Sequence, residues 1–186
     1  MKRLACLFAV VALLAGCGVQ KGELDRAMKT RARLLAASGC CFDGVVCADF
    51  GENTYTFEVN YQADGQGNMT FRVDAPETIS GIAGQLSADK GQLTFEDQLL
   101  AFPMLADGQV TPVSAGWLLI HTLRGGYVQA CGMDGDRLRI SMKDSYQENA
   151  LQLEIWLGED DLPVYGEILY KDRRFLSIKV NNFRFL

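Results

Sequence analysis

From Cys40 onward the apolar residues of this chain recur with a period close to two, and that alternation constrains its fold more than any other feature. Tyr55, Phe57, Val59 and Tyr61 alternate with Thr56, Glu58 and Asn60, and Met69, Phe71 and Val73 alternate with Thr70 and Arg72. Successive side chains of a strand point to opposite faces, so the pattern predicts antiparallel strands with one face buried and one face wet. The link Ala63-Asp64-Gly65-Gln66-Gly67-Asn68 holds the residues that turn a hairpin. Ile79 to Leu86 and Leu93 to Phe95 predict a second pair, turning at Asp89-Lys90-Gly91. Further strands are expected at Val128 to Cys131, Leu138 to Met142, Leu151 to Leu157, Val164 to Tyr170 and Phe175 to Phe185. The last shifts phase at Asn181-Asn182, as a bulge would cause.

Two stretches have helical spacing instead. Leu24, Ala27, Met28, Arg31, Leu34 and Leu35 fall on one stripe ahead of Ser38-Gly39. At Thr111-Pro112 the threonine suits a cap and the proline a first helical turn. Val113, Trp117, Ile120 and Leu123 then make the face of a short apolar helix, widened by Leu118 and Leu119 and ended by Gly125-Gly126. A sheet with one apolar face needs a cover. The expected fold class is therefore α+β, a strongly curved antiparallel sheet, or half-barrel, with two helices covering its concave face.

The first residues carry a different message. Lys2 and Arg3 precede Leu4 to Ala15, which hold no charge. That run is shorter than the about 20 residues a spanning helix needs, and its flanks are those of a cleaved export signal. Leu14-Ala15-Gly16-Cys17 resembles the lipobox of bacterial lipoproteins. The resemblance implies that Cys17 receives a diacylglyceryl thioether and that residues 1–16 are removed. Residues 17–23 would then be a lipidated tether and 24–186 a single domain. One acyl chain binds a membrane only marginally, at ~0.8 kcal/mol per buried CH₂, so two are what hold a protein there. Residue 18 is Gly rather than Asp, which does not resemble an inner-membrane retention signal. The expected location is the extracytoplasmic side of a cell membrane, the outer one included where two exist.

Charge and motif content narrow the function. Lys and Arg number 18 against 23 Asp and Glu; Lys2 and Arg3 leave with the signal, so the mature balance falls from −5 to −7. A partner of nucleic acid needs clustered bases, and Lys29, Arg31 and Arg33 on one helix read as a solvated face. His121, the only histidine, lies in the apolar helix, and no Gly-x-Ser-x-Gly elbow accompanies it. Ser87-Ala88-Asp89-Lys90 lacks the partner motifs of penicillin-binding enzymes. Asp134-Gly135-Asp136 and Glu159-Asp160-Asp161 do not continue into a calcium loop. No catalytic residue, metal site or cofactor is expected, and the expected role is binding.

Cys40, Cys41, Cys47 and Cys131 remain in the mature domain, where oxidation is permitted. Four thiols allow three complete pairings. A Cys41–Cys47 bridge requires a turn at Asp43-Gly44, because a straight strand holds those residues about 20 Å apart, beyond the ~7 Å limit between Cα atoms. Otherwise Cys131 is the natural partner of one of the three, and free, buried thiols are the remaining alternative.

The order of elements, the proline-initiated apolar helix between two strand sets, and the ending Leu162-Pro163-Val164 … Ile178-Lys179-Val180-Asn181-Asn182-Phe183-Arg184-Phe185 resemble the LolA/LolB superfamily of lipoprotein carriers and receptors. The small GerS-like lipoproteins are a close variant, and Cys17 suits a LolB-like or GerS-like arrangement. The resemblance implies a concave face that holds an acyl chain of a lipid or lipoprotein; no groove residue is carried over from the family, and the apolar helix and the strand alternation make Trp117, Ile120, Phe57, Val59 and Phe71 the candidate lining of that face. The alternative it implies is an interaction module with an envelope protein partner, as in lipoproteins supporting an enzyme that processes spore-cortex peptidoglycan. Burial of each large side chain is worth ~1.5–3 kcal/mol, so the same five residues equally suit a filled core.

Overall fold

The computed structural model describes residues 21–88, 91–95, 98–102, 105–106, 109–148 and 150–186. Helix α1 (Lys21–Ala36) leads into β1 (Gly39–Asp49), β2 (Thr54–Asp64), β3 (Met69–Ala75), β4 (Ala83–Leu86), β5 (Gly91–Phe95) and β6 (Gln98–Phe102). Two-residue strands β7 (Leu105–Ala106) and β8 (Gln109–Val110) pair with each other, and a 3₁₀ turn at Pro112–Ser114 opens into α2 (Ala115–Gly125). The chain then forms β9 (Tyr127–Asp134), β10 (Arg137–Lys143), β11 (Gln152–Leu157), β12 (Pro163–Tyr170) and β13 (Arg173–Phe185). Among the described residues, eleven strands form one antiparallel sheet in the order β6-β5-β4-β3-β2-β1-β13-β12-β11-β10-β9. The architecture is the expected α+β one, with the β1–β13 pair joining the two strand sets at its middle.

Alternation sets the two faces. Phe42, Val46 and Ala48 of β1, Val59, Tyr61 and Ala63 of β2, and Met69, Phe71 and Val73 of β3 are buried on the concave side. Leu138, Ile140 and Met142 of β10 and Leu153, Ile155 and Leu157 of β11 continue that layer. Both helices lie against it. The hairpin at 63–68 turns as expected: the Asp64 carboxylate accepts from the backbone N–H of Gln66 and Asn68 at 2.8 and 2.9 Å, and Gly67 has φ +90°. The bulge also lies where the phase shift put it, since Cys41 faces Arg184 while Asp43 faces Asn181, and Asn182 takes φ +53°.

Several details depart from the sequence reading. Helix α1 is already helical at Lys21, ahead of the expected Leu24, and its buried stripe is Ala27, Thr30 and Leu34. Met28 and Leu35, expected inside, are 43% and 54% exposed. Thr30 takes the buried place because its hydroxyl donates to the Asp161 carbonyl at 2.9 Å. Ile79 to Leu86 is not one strand: Glu77–Ile79 form a 3₁₀ turn, Gly81 adopts φ +90°, and extended pairing resumes only at Ala83. Thr111 does not cap with its side chain; its carbonyl accepts from the Ser114 N–H and hydroxyl. Strands β6 to β8 had no counterpart in the sequence reading, and the expected turn residues Asp89 and Lys90 lie outside the described residues.

Candidate functional site

The concave face assembles the five residues named for it. Val59, Phe71, Trp117 and Ile120 are buried in one core, and Phe57 packs against that core half-buried. Helix α2 buries Ala115, Gly116, Trp117, Leu118, Leu119, Ile120, Thr122 and Leu123, so nearly its whole circumference is covered. Gly116 is there because nothing larger fits: a Cβ at that position would stand 2.8 Å from the Tyr61 ring. Tyr61, fully buried, stacks on Phe42 with centroids 5.2 Å apart and donates its hydroxyl to the Val113 carbonyl at 3.1 Å. Burial pushes its phenol well above the ordinary tyrosine value. Trp117 donates its indole N–H to the Gly67 carbonyl at 3.0 Å and stacks on His121 at 4.3 Å. The seam between α1 and the sheet, lined by Ala27, Met28, Arg31, Leu123, Val128, Ile140 and Met142, has no room for a water molecule.

The helices are clasped by a reciprocal pair of arginines that the sequence reading did not single out as functional. From α1, Arg31 donates to the carbonyls of Leu123 and Gly126 at the C-terminus of α2, at 2.8 and 2.6 Å. From α2, Arg124 donates to the Leu34 carbonyl at the C-terminus of α1, at 2.9 Å, and to Gly65 at 2.6 Å. The last carbonyls of a helix have no partner within it and carry the negative end of its dipole, so a guanidinium is stabilising there. A clue existed in the sequence: Arg31 sat on the apolar stripe of its own helix.

His121 is exposed rather than packed inside, with its ring stacked on the buried Trp117. Partial desolvation lowers its pKa, and Arg124 lowers it further while Asp144 opposes the shift. The four cysteines are free thiols. Asp43-Gly44 lies inside β1 and is no turn, which overturns the condition for a Cys41–Cys47 bridge. Cys131, on the edge strand β9, is separated from β1 by β10 to β13 in the sheet order, and Cys40 and Cys41 point to opposite faces. Burial pushes the Cys40 thiol up to about 11, with Cys41 adding to the shift and Arg124 opposing it. Burial also raises Cys131, with Glu23 adding to it. Cys17 lies outside the described residues.

The outer face is polar and hollowed. One hollow of about 550 Å³ lies over β2 to β5 and another of about 780 Å³ over β13 and β1 to β3, and they share Gln62, Thr70 and Leu186. A third, of about 470 Å³, lies over β9 to β11 and includes Glu154. Glu154 is only 3% exposed, though it stands on the wet face. Its carboxylate is satisfied by Arg139 Nε, Ser141 Oγ and Gln152 Nε2 at 2.8–2.9 Å. Such a set is structural, since each oxygen is already taken. Among the described residues no cluster of His, Cys, Asp and Glu could hold a metal ion, and no helix is long and apolar enough to cross a membrane.

No protein-family model matches the chain. No curated protein matches it either. Among solved structures it is similar to a putative outer membrane lipoprotein-sorting protein domain from Vibrio parahaemolyticus, at 9% identity over 87% of this chain and 91% of that one, TM-score 0.47. It is similar to a LolA superfamily protein from Nitrosomonas europaea, at 7% identity over 90% and 94% of the two chains, TM-score 0.45. A chain in the structure of the CwlD amidase from Clostridioides difficile in complex with the GerS lipoprotein is similar at 11% identity, over 91% and 98%, TM-score 0.43.

Proposed function

We propose that this chain is a lipoprotein anchored through Cys17 on the extracytoplasmic side of a membrane, and that its domain is a non-catalytic interaction module for an envelope protein. The observation that carries this choice is the state of the concave face. Helix α2 is buried almost all round, and Gly116 rests directly on the Tyr61 ring. Trp117, Ile120, Val59 and Phe71 spend their apolar surface on one another and on the helix. A face filled in this way leaves binding to the outside of the molecule.

The competing reading, an acyl chain carried under α2, requires that helix to swing away. Its cost includes four charge-assisted bonds from Arg31 and Arg124, of a kind worth ~1.5–3 kcal/mol each. Solvent extraction of the purified mature lipoprotein decides between them. The interaction reading expects no fatty acid or phospholipid beyond the covalent chains on Cys17, and no uptake of a fluorescent fatty acid. Stoichiometric lipid that survives purification, or saturable uptake of the probe, reverses the choice. Anchoring is tested separately by intact mass: Cys17→Ala is expected to lose the diacylglyceryl mass and cleavage before residue 17, and a soluble wild-type chain with unmodified Cys17 ends that part of the proposal.

A further inference from the structure

The strand registers bring a row of polar side chains together across the outer face. Arg184 of β13 faces Cys41 of β1, Cys41 faces Gln62 of β2, and Gln62 faces Thr70 of β3. Thr70 in turn faces Gln85 of β4, and Gln85 faces Gln92 of β5. Neighbouring strands lie ~4.8 Å apart, so these six residues form a line about 24 Å long that runs across the strands. The two larger hollows lie along it and share Gln62 and Thr70 in their linings. The smaller of them, about 550 Å³, falls within the roughly 300–1,000 Å³ of ligand sites.

We propose that this trough is a binding cleft for a neutral glycan strand lying across β1 to β5. A carboxamide offers a donor and an acceptor side by side, which is the complement of adjacent hydroxyls on a sugar ring. The side chains of Gln62, Gln85 and Gln92 are hydrogen-bonded to no described residue, so all three are available. The carboxylates in the trough are already occupied: Asp43 accepts from the amides of Asn60 and Asn182 at 2.7 Å, and Asp64 from its own hairpin. The two carboxylates are balanced by Arg72 and Arg184 in the same lining, so the floor carries no net charge to select a cation or a phosphate chain, and its polarity rejects an acyl chain. An extended peptide is disfavoured for a different reason. Peptides add to sheets through free backbone groups at an edge, and β1 to β5 are each paired on both sides. Recognition here is left to side chains spaced at the strand interval, which is close to the repeat of a β-linked glycan. Arg184 donates Nε to Cys41 Sγ at 2.9 Å and keeps its terminal nitrogens for one end of the strand.

The cleft is on the opposite face from α2, so it holds or fails independently of whether the concave face is a core. Chitotetraose, a neutral β-linked oligosaccharide, is titrated calorimetrically into the full mature lipoprotein in detergent. Saturable binding is expected. Each lost carboxamide is expected to weaken it about threefold to tenfold, so Gln62→Ala/Gln85→Ala combined weakens it about tenfold or more, at an unchanged thermal midpoint. If the double variant unfolds, Gln62→Ala alone carries the test. No heat with the oligosaccharide, an affinity that survives these substitutions, or equal binding of an uncharged extended peptide overturns the proposal.

Discussion

The two faces of the sheet are made from alternate residues of the same strands, yet they spend their side chains differently. On β3, Met69, Phe71 and Val73 are buried against neighbours, while Thr70 and Arg72 between them stand on the hollowed outer side. Inside, tightness has gone far enough that Gly116 cannot carry a methyl group without displacing Tyr61. Outside, open carboxamides line the hollows and the carboxylates Asp43, Asp64 and Glu154 are tied into local networks. The difference teaches that an apolar helix over an apolar face is not in itself evidence of a ligand cavity. Where surface is left uncommitted, binding has room.

The contrast is broken most sharply by substitutions at adjacent residues. Phe71→Ala is expected to cost about 3–5 kcal/mol of unfolding free energy, the usual range for a large aromatic removed from a core. Thr70→Ala, one residue away and facing out, should stay within about 0.5 kcal/mol. Urea denaturation of both measures this, and comparable losses at the two positions would mean the faces are not distinct.

A smaller effect is expected at the helix clasp. Arg31→Met keeps the length of the side chain and removes both bonds to the end of α2. The two bonds are offset in part by the desolvation of the half-buried guanidinium, so the expected net loss is about 1.5–3 kcal/mol, read as a lower urea midpoint with unchanged slope. A midpoint that does not move would show that α2 is held by its apolar contacts alone.

The mildest test uses the two adjacent thiols, which face opposite ways. With its thiol pushed up to about 11 by burial, Cys40 stays protonated and covered at pH 8. Iodoacetamide should therefore modify Cys41 well before Cys40 in the folded protein, and mapping the label by peptide mass checks the order. Denaturation without reductant should release four reactive thiols per mature chain, from Cys40, Cys41, Cys47 and Cys131. A count of two would reinstate a disulfide.

How much of this was legible from the sequence follows from the range of the forces involved. Alternation at 55–61 and 69–73 is local, and it placed Phe57, Val59 and Phe71 on the covered face correctly. Asn181-Asn182 announced its bulge because a phase slip in a strand has no other cheap resolution. Residues 98–102 read Gln-Leu-Leu-Ala-Phe, a short apolar run without alternation, and gave no period to follow. Helix α1 was misread at Met28 and Leu35 because its rotation is set by Arg31 and Thr30 reaching distant carbonyls. The glutamine row was invisible for the same reason. Gln62, Gln85 and Gln92 become neighbours only through pairings between strands, and register is a property of the whole sheet. Cavity and core could not be separated either, since both ask for the same apolar residues.

Adding volume where the interior is full is the most direct test of the central claim. Ile120 is 2% exposed on the inner side of α2, and Ile120→Trp enlarges its side chain there. In urea denaturation of the mature lipoprotein, a filled core predicts a loss of about 1–3 kcal/mol, the usual cost of overpacking. Full wild-type stability in this variant would mean that space exists beneath α2, and would contradict the account of the concave face as a core.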